Sequence, residues 1–259
     1  MPEYDRLANI YDAWSAADPA AEPSRRYYVN LCSTERVPVV ELGIGTGRIA
    51  IDIARLGIPV IGVDVSAGMG ALCRRKFEEA GLQDRLQLLF SDVRDFELPE
   101  PTSLIIFPFR SIGHLLTHES KLALLQCVHR NLKPGGKFIF DHYILDEDWA
   151  RGRHGIPQLM CRIPNQDGSS MLVWDVYHFD FSRQLMDCYI TVDELDEAAT
   201  LVRRTYRPLS FSWIRPEQVR DLLHQANFKV QAVYGDFDGG PLTDTSEQQI
   251  WVAERPTGS

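Results

Sequence analysis

The sequence predicts an α/β fold in which a mainly parallel sheet is covered by helices on both faces. Three observations carry this. Short, largely apolar runs such as Val37–Leu42, Pro59–Val63 and Leu104–Phe107 alternate with helical stretches, as strands buried on both faces do. The first run ends in a glycine-rich turn, Gly43–Gly47, that opens a helix. After Asp141 the apolar pattern changes to strict alternation, so an antiparallel β insertion follows the parallel core.

The elements follow in order. Tyr4, Leu7, Ile10, Tyr11 and Trp14 recur at helical spacing, and Glu22–Leu31 predicts a second helix. The strand Val37–Leu42 leads through the glycine turn into a helix from Arg48 to Leu56, which Gly57 stops. Pro59–Val63 closes on Asp64, and Ser66 caps a helix over Ala67–Ala80 that Gly81 ends. Leu86–Phe90 and Leu104–Phe107 are the third and fourth strands. Glu119–Leu132 carries Leu122, Leu125, Val128 and Leu132 on one helical face. The turn Lys133–Gly136 precedes a fifth strand, Lys137–Phe140. Met171–Asp180, Gln184–Val192 and Leu201–Phe211 predict a three-stranded meander. Pro216 then opens a helix running to Ala226, and Phe228–Tyr234 and Gln249–Ala253 are the last strands. These segments are expected to form one unit over 1–259. Its parts are a helical cap (1–35), a cofactor-binding core (36–145), an antiparallel β lid (165–212) and a final helix with two strands (213–259).

The 259 residues carry a net charge of −9, from 27 Lys and Arg against 36 Asp and Glu. That excess argues against a nucleic-acid partner, whose phosphates need clustered bases. No apolar run approaches the roughly 20 residues a membrane span requires. The start, Met1-Pro2-Glu3-Tyr4-Asp5, has acids where a signal peptide carries bases. A cytoplasmic monomer or homodimer is expected. The cysteines Cys32, Cys73, Cys127, Cys161 and Cys188 are odd in number and widely spaced. They read as free thiols, with no metal site.

Glu41-Leu42-Gly43-Ile44-Gly45-Thr46-Gly47 joins a strand to a helix. Glycines there turn the chain tightly and admit a ligand close to the backbone. Free N–H groups of the helix start lie behind them. Asp64 ends the second strand 21 positions after Gly43, where a carboxylate can hold ribose hydroxyls. A dinucleotide site wants G-x-G-x-x-G, and Arg48 stands where its third glycine would be. The stretch Glu41–Gly47 followed by Gly62-Val63-Asp64-Val65-Ser66 resembles class I S-adenosylmethionine-dependent methyltransferases. Met69, Ser91-Asp92-Val93 and Lys133–Phe140 match later stations of that family in order. The resemblance implies a Rossmann-like seven-stranded sheet of order 3-2-1-4-5-7-6 with strand 7 antiparallel. It also implies S-adenosyl-L-methionine as cofactor, held by Tyr11, Glu41, Gly43, Gly45, Gly47, Asp64, Val65, Met69, Asp92, Val93 and Phe107.

The acceptor is read from the segment after strand 4. Methyltransferases acting on nucleobase amines or protein Gln show Asp/Asn-Pro-Pro-Tyr there, whereas this chain has Phe107-Pro108-Phe109-Arg110. Ser111-Ile112-Gly113-His114-Leu115 and Tyr11-Asp12 resemble small-molecule N-methyltransferases. Together with Leu209–Trp213 and Tyr234–Gly239 they resemble the bacterial toxoflavin N-methyltransferases, which methylate a flat azapteridine. The resemblance implies His114 and Tyr11 at the reacting centre, and Trp14, Arg110, His114, Trp174, Tyr177 and Asp236 around the acceptor. Each has an ordinary alternative. His114 suits a structural histidine at a helix start, Asp92 a turn cap, the aromatics a core and Asp236 a loop turn. Transfer to oxygen or carbon, a non-catalytic cofactor-binding subunit and a dinucleotide oxidoreductase are the rival functions.

Overall fold

The computed structural model describes residues 3–258. Met1, Pro2 and Ser259, which the reading of 1–259 as one unit includes, lie outside the described residues. The main sheet has seven strands: β1 (Val39–Leu42), β2 (Val60–Asp64), β3 (Leu86–Phe90), β4 (Thr102–Phe107), β5 (Leu132–Tyr143), β10 (Lys229–Tyr234) and β11 (Gln248–Glu254). Their order is β10-β11-β5-β4-β1-β2-β3. The core pairs are parallel, and β11 runs antiparallel to both β5 and β10. This is the expected order read from the opposite edge. The direction of winding reverses at β1, which has β2 on one side and β4 on the other, and open α/β sheets bind ligands outside the strand ends there.

Helices α2 (Ala21–Glu35), α3 (Ala50–Arg55) and α4 (Ala67–Glu79) lie over one face, with Tyr28, Cys32, Ile53, Cys73 and Phe77 packed against Val39, Val60 and Ile106. Helices α5 (His118–Asn131) and α7 (Pro216–Gln225) lie over the other, with Leu124, Val128, Val219 and Leu223 packed against Leu42, Ile105, Phe138 and Trp251. Burial on both faces explains why the core strands are largely apolar. Capping follows local chemistry. The Ser66 hydroxyl accepts from the Met69 N–H, and Thr117 forms a capping box with Ser120.

The second sheet differs from expectation in having four strands rather than three. Its order is β6 (Gln158–Pro164), β7 (Ser170–Asp180), β8 (Leu185–Leu195) and β9 (Leu201–Ser212), all antiparallel. The added edge strand β6 ends in Pro164, a residue sheets accept at their edges. The inner face of this sheet, with Val173, Cys188, Ile190, Val192 and Leu209, packs on Leu7, Ile10 and Met69. The N-terminal residues thus lie between the lid and the main sheet. A short helix α1 (Tyr11–Ala16) and an unanticipated polar helix α6 (Glu147–Arg153) complete the chain.

Candidate active site

The glycine turn is fixed by conformation and by space. Gly43, Gly45 and Gly47 have φ of 61°, 56° and 76°, in the left-handed region that disfavours side chains. A Cβ on Gly43 would lie 3.2 Å from Phe107, and one on Gly47 2.6 Å from the Cys73 sulfur. The Asp64 carboxylate closes the turn, accepting the Gly45 N–H at 2.8 Å and the Ser66 N–H at 2.8 Å. Burial raises its carboxyl above the ordinary carboxylate range, against the pull of those amides. Two hydrogen bonds leave lone pairs over for ribose hydroxyls. A cavity of about 530 Å³ opens from this point, lined by Gly43, Asp64, Val65, Asp92, Val93 and Phe107. The Asp92 carboxylate accepts the Arg94 N–H and its guanidinium, so it caps its own turn while bordering the cleft.

Glu41 is buried behind the turn, and its Oε2 has no partner among the described residues. Burial pushes its pKa up to about 8. An orphaned buried carboxyl beside a glycine cradle fits the ammonium and methionine end of S-adenosylmethionine, and the cleft beyond Asp64 fits its adenosine. Gly43, Gly45, Gly47, Glu41 and Asp64 are the residues that would hold it.

The N-terminal segment is tied over this cradle by two carboxylates. Asp5 accepts the Ser66 hydroxyl at 2.6 Å and the Gly68 N–H at 2.9 Å. Asp12 accepts the Thr46 hydroxyl at 2.6 Å and pairs with Lys76 at 2.6 Å. Tyr11 meets Tyr4 edge-on at 5.8 Å and Trp14 at 6.1 Å. The Tyr4 hydroxyl lies 2.8 Å from His114 Nε2.

Beneath the lid is a second cavity, of about 180 Å³, lined by Tyr4, Tyr11, Trp14, Met69, Phe109, Arg110, His114, Tyr143, Tyr177, Cys188 and Phe211, among others. It shares Tyr4, Gly43, Asp64, Ser111 and His114 with the larger cleft. The two are neighbours across these residues. His114 ends the 3-10 turn Ser111–His114 rather than starting a helix. Burial lowers its pKa to about 4, so its ring is neutral, and burial pushes Tyr11 up to about 12, so its phenol keeps its proton.

Arg110 reaches the chamber from an unusual backbone. Phe109 and Arg110 both have positive φ, 57° and 61°, a conformation that costs a non-glycine residue of order 1–3 kcal/mol. Asp141, at the end of β5, holds it. Its carboxylate accepts the Phe109 N–H at 2.8 Å, the Arg110 N–H at 3.0 Å and the Tyr28 hydroxyl at 2.7 Å. The Arg110 guanidinium pairs with Asp18 at 2.6 Å, and its Nε and the Tyr143 hydroxyl are buried without partners among the described residues. On the lid, Asp175 accepts the Trp14 indole N–H at 3.0 Å and the Tyr177 hydroxyl at 2.8 Å, and burial pushes its pKa up to about 6. This carboxylate ties the N-terminal cap to the lid.

The structure therefore gathers Tyr11, Trp14, Arg110, His114 and Tyr177 around one chamber. It does not bring Trp174 or Asp236 there. The Trp174 side chain follows the alternation of β7 to the outer face, where its indole donates to Asp193. Asp236 caps its own loop, accepting the Asp238 and Gly240 N–H groups, because a loop with paired glycines offers amides to a local carboxylate. Sequence reasoning passed over Asp18, Asp141, Tyr143 and Asp175. Asp141 carried one signal, as an acid closing an apolar strand.

Among the described residues no cluster of His, Cys, Asp and Glu suits a metal ion, and no helix is long and apolar enough to cross a membrane. Residues 39–136 match a family model described as a methyltransferase domain. A sterol 4-C-methyltransferase of Caenorhabditis elegans is 27% identical over 118 residues, 46% of this chain and 34% of that protein, so the chain spans only a third of its length. YqeM of Bacillus subtilis, described as a methyltransferase, is 22% identical over 260 residues and 97% of each chain. Of solved structures, the CcbJ methyltransferase of Streptomyces caelestis superposes with a TM-score of 0.81 at 19% identity, covering 99% of both chains. CalS10 of Micromonospora echinaspora, an amino pentose methyltransferase solved with S-adenosylmethionine bound, gives 0.64 at 18% identity over 98% of this chain and 92% of its own. Residues 39–136 are thus an S-adenosylmethionine-dependent methyltransferase domain, set in a chain with the class I methyltransferase fold throughout.

Proposed function

We propose that the chain transfers a methyl group from S-adenosylmethionine to a nitrogen of a small, flat heteroaromatic metabolite, of the azapteridine kind that toxoflavin N-methyltransferases use. The observation that carries this reading is the aromatic chamber beside the cofactor cleft. At about 180 Å³ it is slightly larger than a cavity of about 150 Å³ that accepts benzene. Its rings offer faces and edges to a planar guest, and its few polar groups suit a ligand that needs orientation more than charge.

Bound S-adenosylmethionine supplies a methyl group on a positively charged sulfur, activated for in-line displacement. Alignment is what the protein adds, and positioning of this kind is worth up to about 7–11 kcal/mol. In this reading Tyr11, Trp14 and Tyr177 set the plane of the acceptor. Arg110 and His114 set its rotation. A ring whose pKa is about 4 is a weak base at neutral pH, so His114 serves by holding the Tyr4 hydroxyl beside the acceptor. The region 165–212 is the lid that excludes water, anchored through Asp175.

The test is incubation of the purified chain with S-adenosylmethionine and a set of flat N-heteroaromatics, amino sugars and phenols, read by mass spectrometry. Methylation of a ring nitrogen supports the proposal. Turnover of amino sugars or phenols alone would refute it.

A further inference from the structure

On the far side of the Ser111–His114 turn lies another cavity, of about 310 Å³, between the start of α5, the end of β9 and α7. Lys121 forms part of its wall and is only 4% exposed. Its ammonium donates to the Leu115 carbonyl and to the Ser212 hydroxyl. An ammonium has three donors, so one is left over. No carboxylate pairs with it among the described residues. Lysine is almost never buried this fully unless paired, and burial alone pulls its pKa down to about 8. Around the opening stand His118 and Arg183, the Gln184–Gln218 amide pair, and one carboxylate, Asp221. Neither Gln184 nor Gln218 brings a charge that would satisfy the lysine.

We propose that this cavity binds a small oxyanion, the phosphate or carboxylate group of a metabolite, with Lys121 at its floor and Arg183 at its rim. The anion supplies the acceptor for the third ammonium hydrogen and the missing counter-charge. The site also touches the methyl-transfer machinery. Ser212, which receives the Lys121 hydrogen bond, donates to the Gly113 and Leu115 carbonyls at 3.2 and 3.0 Å. Those carbonyls flank His114. An anion drawn to Lys121 therefore bears on the backbone on either side of His114.

Inorganic phosphate is the probe. It is titrated into the full chain and followed by ³¹P line broadening, with chloride holding ionic strength constant and with S-adenosylhomocysteine absent or saturating. We expect saturable binding that persists with S-adenosylhomocysteine, weakens several-fold in Arg183→Gln and falls at least tenfold in Lys121→Met. Replacing a buried charge by an apolar chain of similar volume is often tolerated, so Lys121→Met is expected to fold. Should it not, the exposed Arg183→Gln change provides the same test. Absence of saturable binding, displacement by S-adenosylhomocysteine, or equal binding by both variants and the parent would overturn the proposal.

Discussion

Glu41 shows how much one buried atom can decide. Its carboxyl titrates near 8 in the folded chain against an ordinary value of 4.5. Between those values the native state keeps a proton that the unfolded chain releases. Stability from this group is therefore full below about 4.5 and declines as pH rises to 8. Glu41→Gln removes the dependence, so thermal denaturation at pH 5 and pH 8 should show the variant gaining on the parent as pH rises. A difference that is flat with pH would count against the buried, unpaired carboxyl. The same carboxyl is what we expect the cofactor's ammonium to find. Asp141 acts through geometry instead. Asp141→Ala strands two half-buried amides and the buried Tyr28 hydroxyl, and a buried polar group left unpaired costs about 1–3 kcal/mol. A loss of about 2–5 kcal/mol in denaturant unfolding is expected, with Asp141→Asn losing less. Glu41 was legible as part of the glycine-turn motif, whereas Asp141 showed only as an acid closing an apolar strand, since nothing local to it says that two residues 31 and 32 positions earlier need its oxygens.

At the scale of elements the sequence spoke more clearly for the core than for the lid. The alternation of apolar strands with capped helices fixed the core, because strands buried on both faces leave an unambiguous pattern. Strand β6 left none. Its alternation is broken at Met160 and Cys161, where the pairing with β7 shifts register, and Pro164 resembles a loop residue. The direction of Trp174 was lost for a related reason, since an aromatic in an alternating strand packs on either face. The four-stranded sheet is tied to the N-terminal segment through Asp175, whose hydrogen bond from the Trp14 indole joins α1 to β7. Asp175→Ala should loosen that junction. Hydrogen exchange in β7 should speed by about tenfold or more, in keeping with charged hydrogen bonds worth about 1.5–3 kcal/mol. Affinity for S-adenosylhomocysteine should change little. A parallel collapse of cofactor affinity would mean that lid and cradle are one unit rather than two.

Over the whole molecule, one sheet with a reversal at β1 sets a cofactor cleft beside an aromatic chamber, and a second sheet covers that chamber. The glycine spacing, Asp64 and the final helix, strand and antiparallel strand carried this plan in the sequence. The acceptor was legible only as a class, because the chamber is assembled from the N-terminal segment, the β4 turn, the end of β5 and the lid. The central claim is that the cleft from Glu41 to Asp92 is a working S-adenosylmethionine site. Calorimetric titration of S-adenosylhomocysteine into the parent chain and into Asp64→Ala tests it most directly. One saturable site is expected in the parent and at least tenfold weaker binding in the variant, with its thermal unfolding still cooperative. No binding in the parent, or identical binding in a folded Asp64→Ala, would contradict it.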